Sequence, residues 1–174
     1  MNIQIVPATP EDVLQLLELY QKIAEIPDGI IRKLEEINQD YIWDFVSKSL
    51  KNGLILLAKH DDLIVGEIHA YTPPLYAFQH ILTDLTIGVH PNYQGQGVGK
   101  LLFQTFLEKT KESFRHILRI ELFVREHNTR NVQFYEGLGF VNEGRQQHKI
   151  FRGQGDFETP LPMCWFNPNY AYTK

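Results

Sequence analysis

Residues 82–109, LTDLTIGVHPNYQGQGVGKLLFQTFLEK, constrain the fold more than any other part of the chain. A β-branched apolar run passes through a Pro-Asn turn into three glycines within five residues, and then into an apolar stripe at helical spacing. That order predicts a strand, a glycine loop and a helix. Leu101, Leu102 and Phe106 are expected on one face of the helix, which places its start within residues 97–100. The first amides of a helix have no partner inside it and carry the positive end of its dipole. Gly95, Gly97 and Gly99 at that point therefore suit a bound phosphate, because backbone N–H groups donate and no Cβ stands in the way. The plain alternative is a strand-to-helix turn in which the glycines serve the turn alone.

Two common phosphate loops do not fit. A dinucleotide fingerprint built on Gly95 and Gly97 would need glycine where Lys100 stands. The loop of nucleoside triphosphatases needs Ser or Thr after Gly-Lys and a glycine five residues before the second one. Leu101 and Gln94 occupy those places.

At 174 residues with 43% hydrophobic content, the chain can close a core without disulfides or metal, and a single domain is expected. Cys164 is the one cysteine, compatible with a reducing cytoplasm. His60, His69, His80, His90, His116, His127 and His148 show no metal-ligand spacing. A net charge of −4 with both signs interspersed gives no footprint for nucleic acid. No apolar run approaches the roughly 20 residues that span a bilayer, and no leader is evident, so a soluble cytoplasmic protein is expected.

In chain order, Ile3 and Ile5 suggest a first strand, and Thr9-Pro10-Glu11-Asp12 starts a helix with the stripe Val13, Leu16, Leu17, Tyr20 and Ile23. Residues 26–38 are a turn followed by a charged, partly helical stretch. Asn38 caps a second helix with Tyr41, Ile42, Phe45, Val46 and Leu50 on its apolar face. Residues 54–60 and 63–71 form a hairpin about Asp61-Asp62. After the glycine-loop helix come a strand at 117–124, a helix at 128–138 stopped by Gly139, and a last strand pair, 140–151 with 161–166, around Gly153-Gln154-Gly155.

Gln94-Gly95-Gln96-Gly97-Val98-Gly99 matches the Q/R-x-x-G-x-G pattern of the GNAT superfamily of acyl-CoA-dependent N-acyltransferases, and Asp84-Leu85-Thr86-Ile87-Gly88-Val89-His90-Pro91 looks like the strand before that loop. A second stretch, from Val124 through Asn128, Tyr135 and Gly139 to Phe140, resembles the family's V-x-x-x-N-x-x-A-x-x-x-Y-E-x-L-G-F segment, with Asn131 in place of the usual alanine. Glu143-Gly144-Arg145 and Met163 resemble the tail of the branch that holds amino-acid and protein N-terminal acetyltransferases.

The resemblance implies an α/β (α+β) GNAT fold over residues 1–174: a mixed, mostly antiparallel sheet of six to seven strands flanked by about four helices. It implies acetyl-CoA as acyl donor, no metal, and direct attack by a primary amine that could be a small amine, an amino acid or a peptide terminus. A homodimer is left open. The backbone of Ile87, Gly88 and Val89 would pair with the pantetheine arm, and the Val89 amide would polarise the thioester carbonyl. Amides of Gly95, Gln96, Gly97, Val98, Gly99 and Lys100 would hold the pyrophosphate, Gln94 would cap the loop, and Asn128 would hydrogen-bond the pantetheine.

A phenol is protonated at neutral pH and can donate to a departing thiolate, which fits Tyr135. For the base, the ribosomal-protein α-amine acetyltransferases carry a glutamate where this chain has Phe123, so that mechanism is not assigned. The carboxylates on expected strands are Asp84, Glu67 and Glu121. Asp84, matching an acidic position in related branches and expected on the face of Gly88, is the first candidate, with a water chain as alternative. Trp43, Trp165, Tyr71 and Tyr76 have the size of acceptor-site walls, although core packing is the ordinary use of each. Two rivals remain: a non-catalytic acyl-CoA sensor, and a nucleotide-binding domain whose motifs already fail.

Overall fold

The computed structural model describes residues 2–171. Its strands β1 (Ile3–Pro7), β2 (Gly53–His60), β3 (Leu63–Tyr71), β4 (Ile81–Val89), β5 (Arg119–Arg125), β6 (Val141–Asn142) and β9 (Pro160–Phe166) form a seven-stranded sheet in the order β1-β2-β3-β4-β5-β9-β6. A separate hairpin joins β7 (Ile150–Gly153) to β8 (Asp156–Glu158). The helices are α1 (Val13–Ala24), α2 (Gln39–Asn52), α3 (Val98–Ser113) and α4 (Thr129–Gly137). All recorded pairings are antiparallel except β4 with β5, as expected for a mixed, mostly antiparallel sheet.

By contacts the chain divides into two compact units. The first comprises the chain up to Thr72 together with Thr86–Lys109. Here β1 pairs with β2 and β2 with β3, the latter hairpin turning at Asp61, whose φ of 53° suits a two-residue turn. Leu16, Tyr20 and Ile23 of α1 and Ile42, Phe45 and Val46 of α2 bury their side chains in one apolar cluster with Ile55, Leu57 and Ile64. Each such side chain, fully buried, contributes about 1.5–3 kcal/mol. Thr9 and Asp12 set the entry to α1: the Thr9 amide and hydroxyl donate to Asp12 Oδ2, and Lys59 Nζ lies 2.9 Å from Oδ1. Asn38 accepts from the Tyr41 amide and caps α2.

A Cβ on Gly66 would stand 2.9 Å from Leu102 Cδ1, so glycine at this point of β3 lets α3 approach the strand closely. The buried face of α3 carries Val98, Leu102, Phe103, Phe106 and Leu107. Leu101, expected on that face, is exposed; i, i+4 and i+8 counted from Val98 turn the face by one residue. Leu50 is likewise exposed and Ser49 buried in its place. Residues 26–38 contain one 3-10 turn, Leu34–Glu36.

The second unit comprises Pro73–Leu85 and the chain from Thr110 onward. β5 pairs along its whole length with β9, and β9 with β6. Leu122, Val124, Tyr135, Phe140, Met163 and Trp165 are buried, and Gly139 (φ 92°) ends α4 in the left-handed region. One expectation fails here: residues 140–151 are not one strand. β6 stops after Asn142, whose side chain accepts from the Gly144 amide and turns the chain. Gly153-Gln154-Gly155 is the tip of the separate β7–β8 hairpin, with all three residues at positive φ.

Candidate active site

In the first unit, β4 delivers the chain to the glycine loop. His90 N donates to Val65 O, and Gln94 Nε2 donates to Val89 O, so the Gln94 side chain braces the loop back onto its own strand. Gln96 Nε2 does the same to Asn92 O. Gly95 and Gly97 have φ of 73° and 86°, and a Cβ on either would meet nothing within 4 Å. Glycine is thus required by backbone conformation, in a loop that opens onto free space. The first intrahelical bond runs from Leu101 N to Gly97 O, which leaves the amides of Val98, Gly99 and Lys100 without a partner in the helix.

A Cβ on Gly88 would come within 2.8 Å of Ile23 Cδ1 and 3.9 Å of Tyr20 Cζ. The Tyr20 hydroxyl donates to Glu67 Oε2 at 2.6 Å, and His69 Nδ1 lies 2.9 Å from Glu67 Oε1. The carboxylate, the imidazole and the phenol are all buried, and the His69 ring stacks on Phe45 at 4.1 Å. Burial, reinforced by the adjacent Glu67 charge, pushes the Tyr20 phenol well above its ordinary value. Glu67 and His69 fall two apart on one strand, a signal the sequence carries; Tyr20, 47 residues from Glu67, gives none.

In the second unit, Asp84 takes φ 54° in the middle of β4, and β4 pairs with β5 at Ile81 and Leu82, before that residue. Buried positions then run Leu82, Leu85, Gly88, a spacing of three. The alternation expected to put Asp84 on the face of Gly88 is therefore broken at Asp84 itself, which is exposed where Gly88 is buried. Glu121 is half-exposed and ion-paired with Arg119 at 2.9 Å.

Asn128 caps α4, its Oδ1 accepting from the Asn131 amide at 3.1 Å. A ligand would meet its Nδ2 donor instead. Tyr135 is buried on α4 with Phe134 and Phe140 against its ring, and burial pushes its phenol up to about 12. Of the four aromatic candidates, Trp165 is buried in β9, Tyr71 is half-buried, and Trp43 and Tyr76 are exposed. At the end of β8 the nearly buried Glu158 carboxylate faces Arg152, Arg125 and His127, a cluster with no sequence signature. Among the described residues, no group of three or more His, Cys, Asp and Glu is placed to hold a metal ion. No helix among them is long and apolar enough to cross a membrane.

Comparison with known proteins agrees with this arrangement. An acetyltransferase of the GNAT family from Streptococcus pneumoniae is 25% identical, with a TM-score of 0.77 over 95% of this chain and 99% of that one. The protein smu.2055 from Streptococcus mutans UA159 is 27% identical, with a TM-score of 0.76 over 94% and 98%. The yncA protein of Salmonella typhimurium, solved with its cofactor acetyl-CoA, shares the fold at a TM-score of 0.83 over 100% and 99% but is 15% identical. Residues 14–140, which contain the glycine loop, Asn128 and Tyr135, match the Acetyltransferase (GNAT) family, and this chain belongs to that family.

Proposed function

We propose that the protein transfers an acetyl group from acetyl-CoA to a primary amine by direct attack, and that the whole chain serves this as one acyltransferase domain. The observation that carries the reading is the loop of Gly95 and Gly97, held at positive φ with open space where side chains would stand, leading into the free amides of α3. Such a cradle fits a pyrophosphate. Gly95, Gln96, Gly97, Val98, Gly99 and Lys100 are the residues assigned to it, with Gln94 as the brace. The backbone of Ile87, Gly88 and Val89 is assigned to the pantetheine arm, as is the Asn128 amide group. Acetyl-CoA supplies the activated thioester.

The Val89 amide is assigned to polarise the thioester carbonyl as negative charge develops on its oxygen. The amine must attack in its neutral form, and an α-amine near pKa 8 needs little help. Asp84 is the carboxylate we assign to receive the amine's proton, and its exposure lets that proton pass to bulk solvent. Tyr135 is assigned to the departing thiolate. With its pKa pushed up to about 12, it is a weaker acid than a thiol of pKa about 8.5, so its part is to donate a hydrogen bond to the sulfur while keeping its own proton.

Parallel calorimetric titrations with acetyl-CoA, CoA, ATP and NADH test the reading. Saturable binding of the two CoA species alone is expected. Absence of CoA binding to folded protein would return the glycine loop to a structural turn, and CoA binding without acetylation of any amine would favour a sensor.

A further inference from the structure

We propose that His69 is a base of the reaction, taking the proton of the attacking amine on Nε2, and that Glu67 is the positioning residue that keeps this nitrogen free to do so. The inference rests on the acetyl-transfer reading and adds a nitrogen base to the Asp84 carboxylate. Glu67 and His69 stand two apart on β3, with their side chains on one face. The Glu67 carboxylate is fully buried and both its oxygens are used: the Tyr20 hydroxyl donates to Oε2 at 2.6 Å, and His69 Nδ1 lies 2.9 Å from Oε1. An ionised carboxylate can only accept, so it draws the single proton of a neutral imidazole to Nδ1 and leaves the lone pair on Nε2. Nε2 has no hydrogen-bond partner among the described residues, yet it is not one of the unpartnered side-chain atoms that are closed to solvent. The 4% of the His69 side chain that stays exposed therefore includes Nε2, and a proton can reach this nitrogen and leave it again.

The position suits a base for this site. Tyr20, which bonds Glu67, also stands against β4, its Cζ 3.9 Å from the place of a Cβ on Gly88. Gly88 and Val89 are assigned to the pantetheine arm and the thioester carbonyl, and the bond from His90 N to Val65 O ties β3 to β4 beside them. Glu67, His69, Tyr20 and Gly88 all belong to the first unit, so the dyad and the strand assigned to the thioester are held by one packed body. Stacking on Phe45 at 4.1 Å fixes the His69 ring in its plane. Imidazoles as a class exchange protons between about pH 5 and 8, which matches an amine better than an ordinary carboxylate near 4 does. In the step, the amine nitrogen bonds to the thioester carbon and gives one proton to Nε2. The electron pair of the C–S bond leaves on sulfur, the thiolate takes a proton from water, and the imidazolium returns its own to water.

Two measurements test this. Long-range 1H–15N NMR of the histidine rings in the free protein at neutral pH reads the tautomer. The His69 ring, identified as the signal missing from His69→Asn, is expected to carry its proton on Nδ1 and none on Nε2. A proton on Nε2 would overturn the proposal whatever the activity. Glu67→Gln, which can offer an NH2 group to Nδ1, is expected to mix in the Nε2–H tautomer, and an unchanged ring would take the positioning role from Glu67. The second measurement is release of free CoA from acetyl-CoA with benzylamine, spermidine, L-phenylalanine or trialanine. His69→Asn keeps an N–H toward Glu67 and removes the base. With the amine that the native protein acetylates, its turnover is expected to fall about a hundredfold, with acetyl-CoA affinity within about twofold, and added imidazole is expected to restore part of the turnover lost in His69→Gly. Turnover of His69→Asn within about twofold of native would return the proton to Asp84, and a loss that imidazole does not restore would make His69 a packing residue. Failure of the native protein to bind CoA would remove the acetyl-transfer reading separately, since the tautomer is read without cofactor.

Discussion

At the scale of single residues, Tyr135 is where burial and chemistry meet. Its ring contacts those of Phe134 and Phe140, so Tyr135→Phe keeps the packing and removes only the hydroxyl. Turnover is expected to fall about a hundredfold, the lower end of what one hydrogen-bond donor aimed at developing charge contributes. Acetyl-CoA affinity should stay within about twofold, since the hydroxyl is assigned to the leaving sulfur, which gains charge only as the bond breaks. Because burial holds the phenol at about 12, it keeps its proton across the working range, and the native enzyme should show no falling limb from this group below about pH 11. Steady-state kinetics of both forms from pH 6 to 10 check this. Unaltered turnover in the variant would remove Tyr135 from the mechanism.

At the scale of elements, the test belongs to the start of α3. Gly97→Glu would confound two effects, because at φ 86° a side chain is strained by about 1–2 kcal/mol whatever it binds. Gly99 is free of that problem. A Cβ there stands 3.5 Å from Val89 Cγ2, an ordinary contact, and a glutamate in the first helical turn gains about 0.3–1 kcal/mol from the dipole. Gly99→Glu is therefore expected to melt at or above the native temperature while losing at least about tenfold in acetyl-CoA affinity, through repulsion of the phosphates. Calorimetric affinity together with a thermal melt decides it, and native affinity would show that the cradle lies elsewhere. The glycine loop, α3 and the cap at Asn38 were legible in sequence because each rests on local chemistry: positive φ, helical spacing, a side chain answering its own backbone. The turn of the chain at Asp84 was not, since an aspartate signals nothing until its neighbours stop pairing. Nor was the β7–β8 hairpin, whose two glycines looked like the tip of a longer strand pair. Tyr20 as the partner of Glu67, and the Glu158 cluster, were illegible for a related reason: these side chains meet only through the fold.

At the scale of the whole molecule, the buried weak acids set the alkaline limit of stability. Burial pushes the Cys164 thiol from 9.0 to about 11, the Tyr135 phenol from 10.0 to about 12, and the Tyr20 phenol well above 10.0. Each group holds its proton more tightly when folded than when unfolded. Its contribution to stability is therefore complete below the unfolded value and is lost as pH rises through the folded one. The chain already carries a net charge of −4, so the further negative charge gained in alkali adds repulsion in the compact state. The urea midpoint is expected to be level between pH 7 and about 8.5, to begin falling near pH 9 as Cys164 titrates in the unfolded chain, and to fall more steeply above pH 10 when the two tyrosines join it. Cys164→Ala should shift the onset of the fall from near pH 9 to near pH 10, even though the small cavity it leaves lowers the midpoint everywhere. A series of urea titrations across this range on both proteins tests the argument. A native midpoint level to pH 11 would mean that these groups are not held in dry surroundings, and the role given to the buried Tyr135 hydroxyl would lose its physical basis with them.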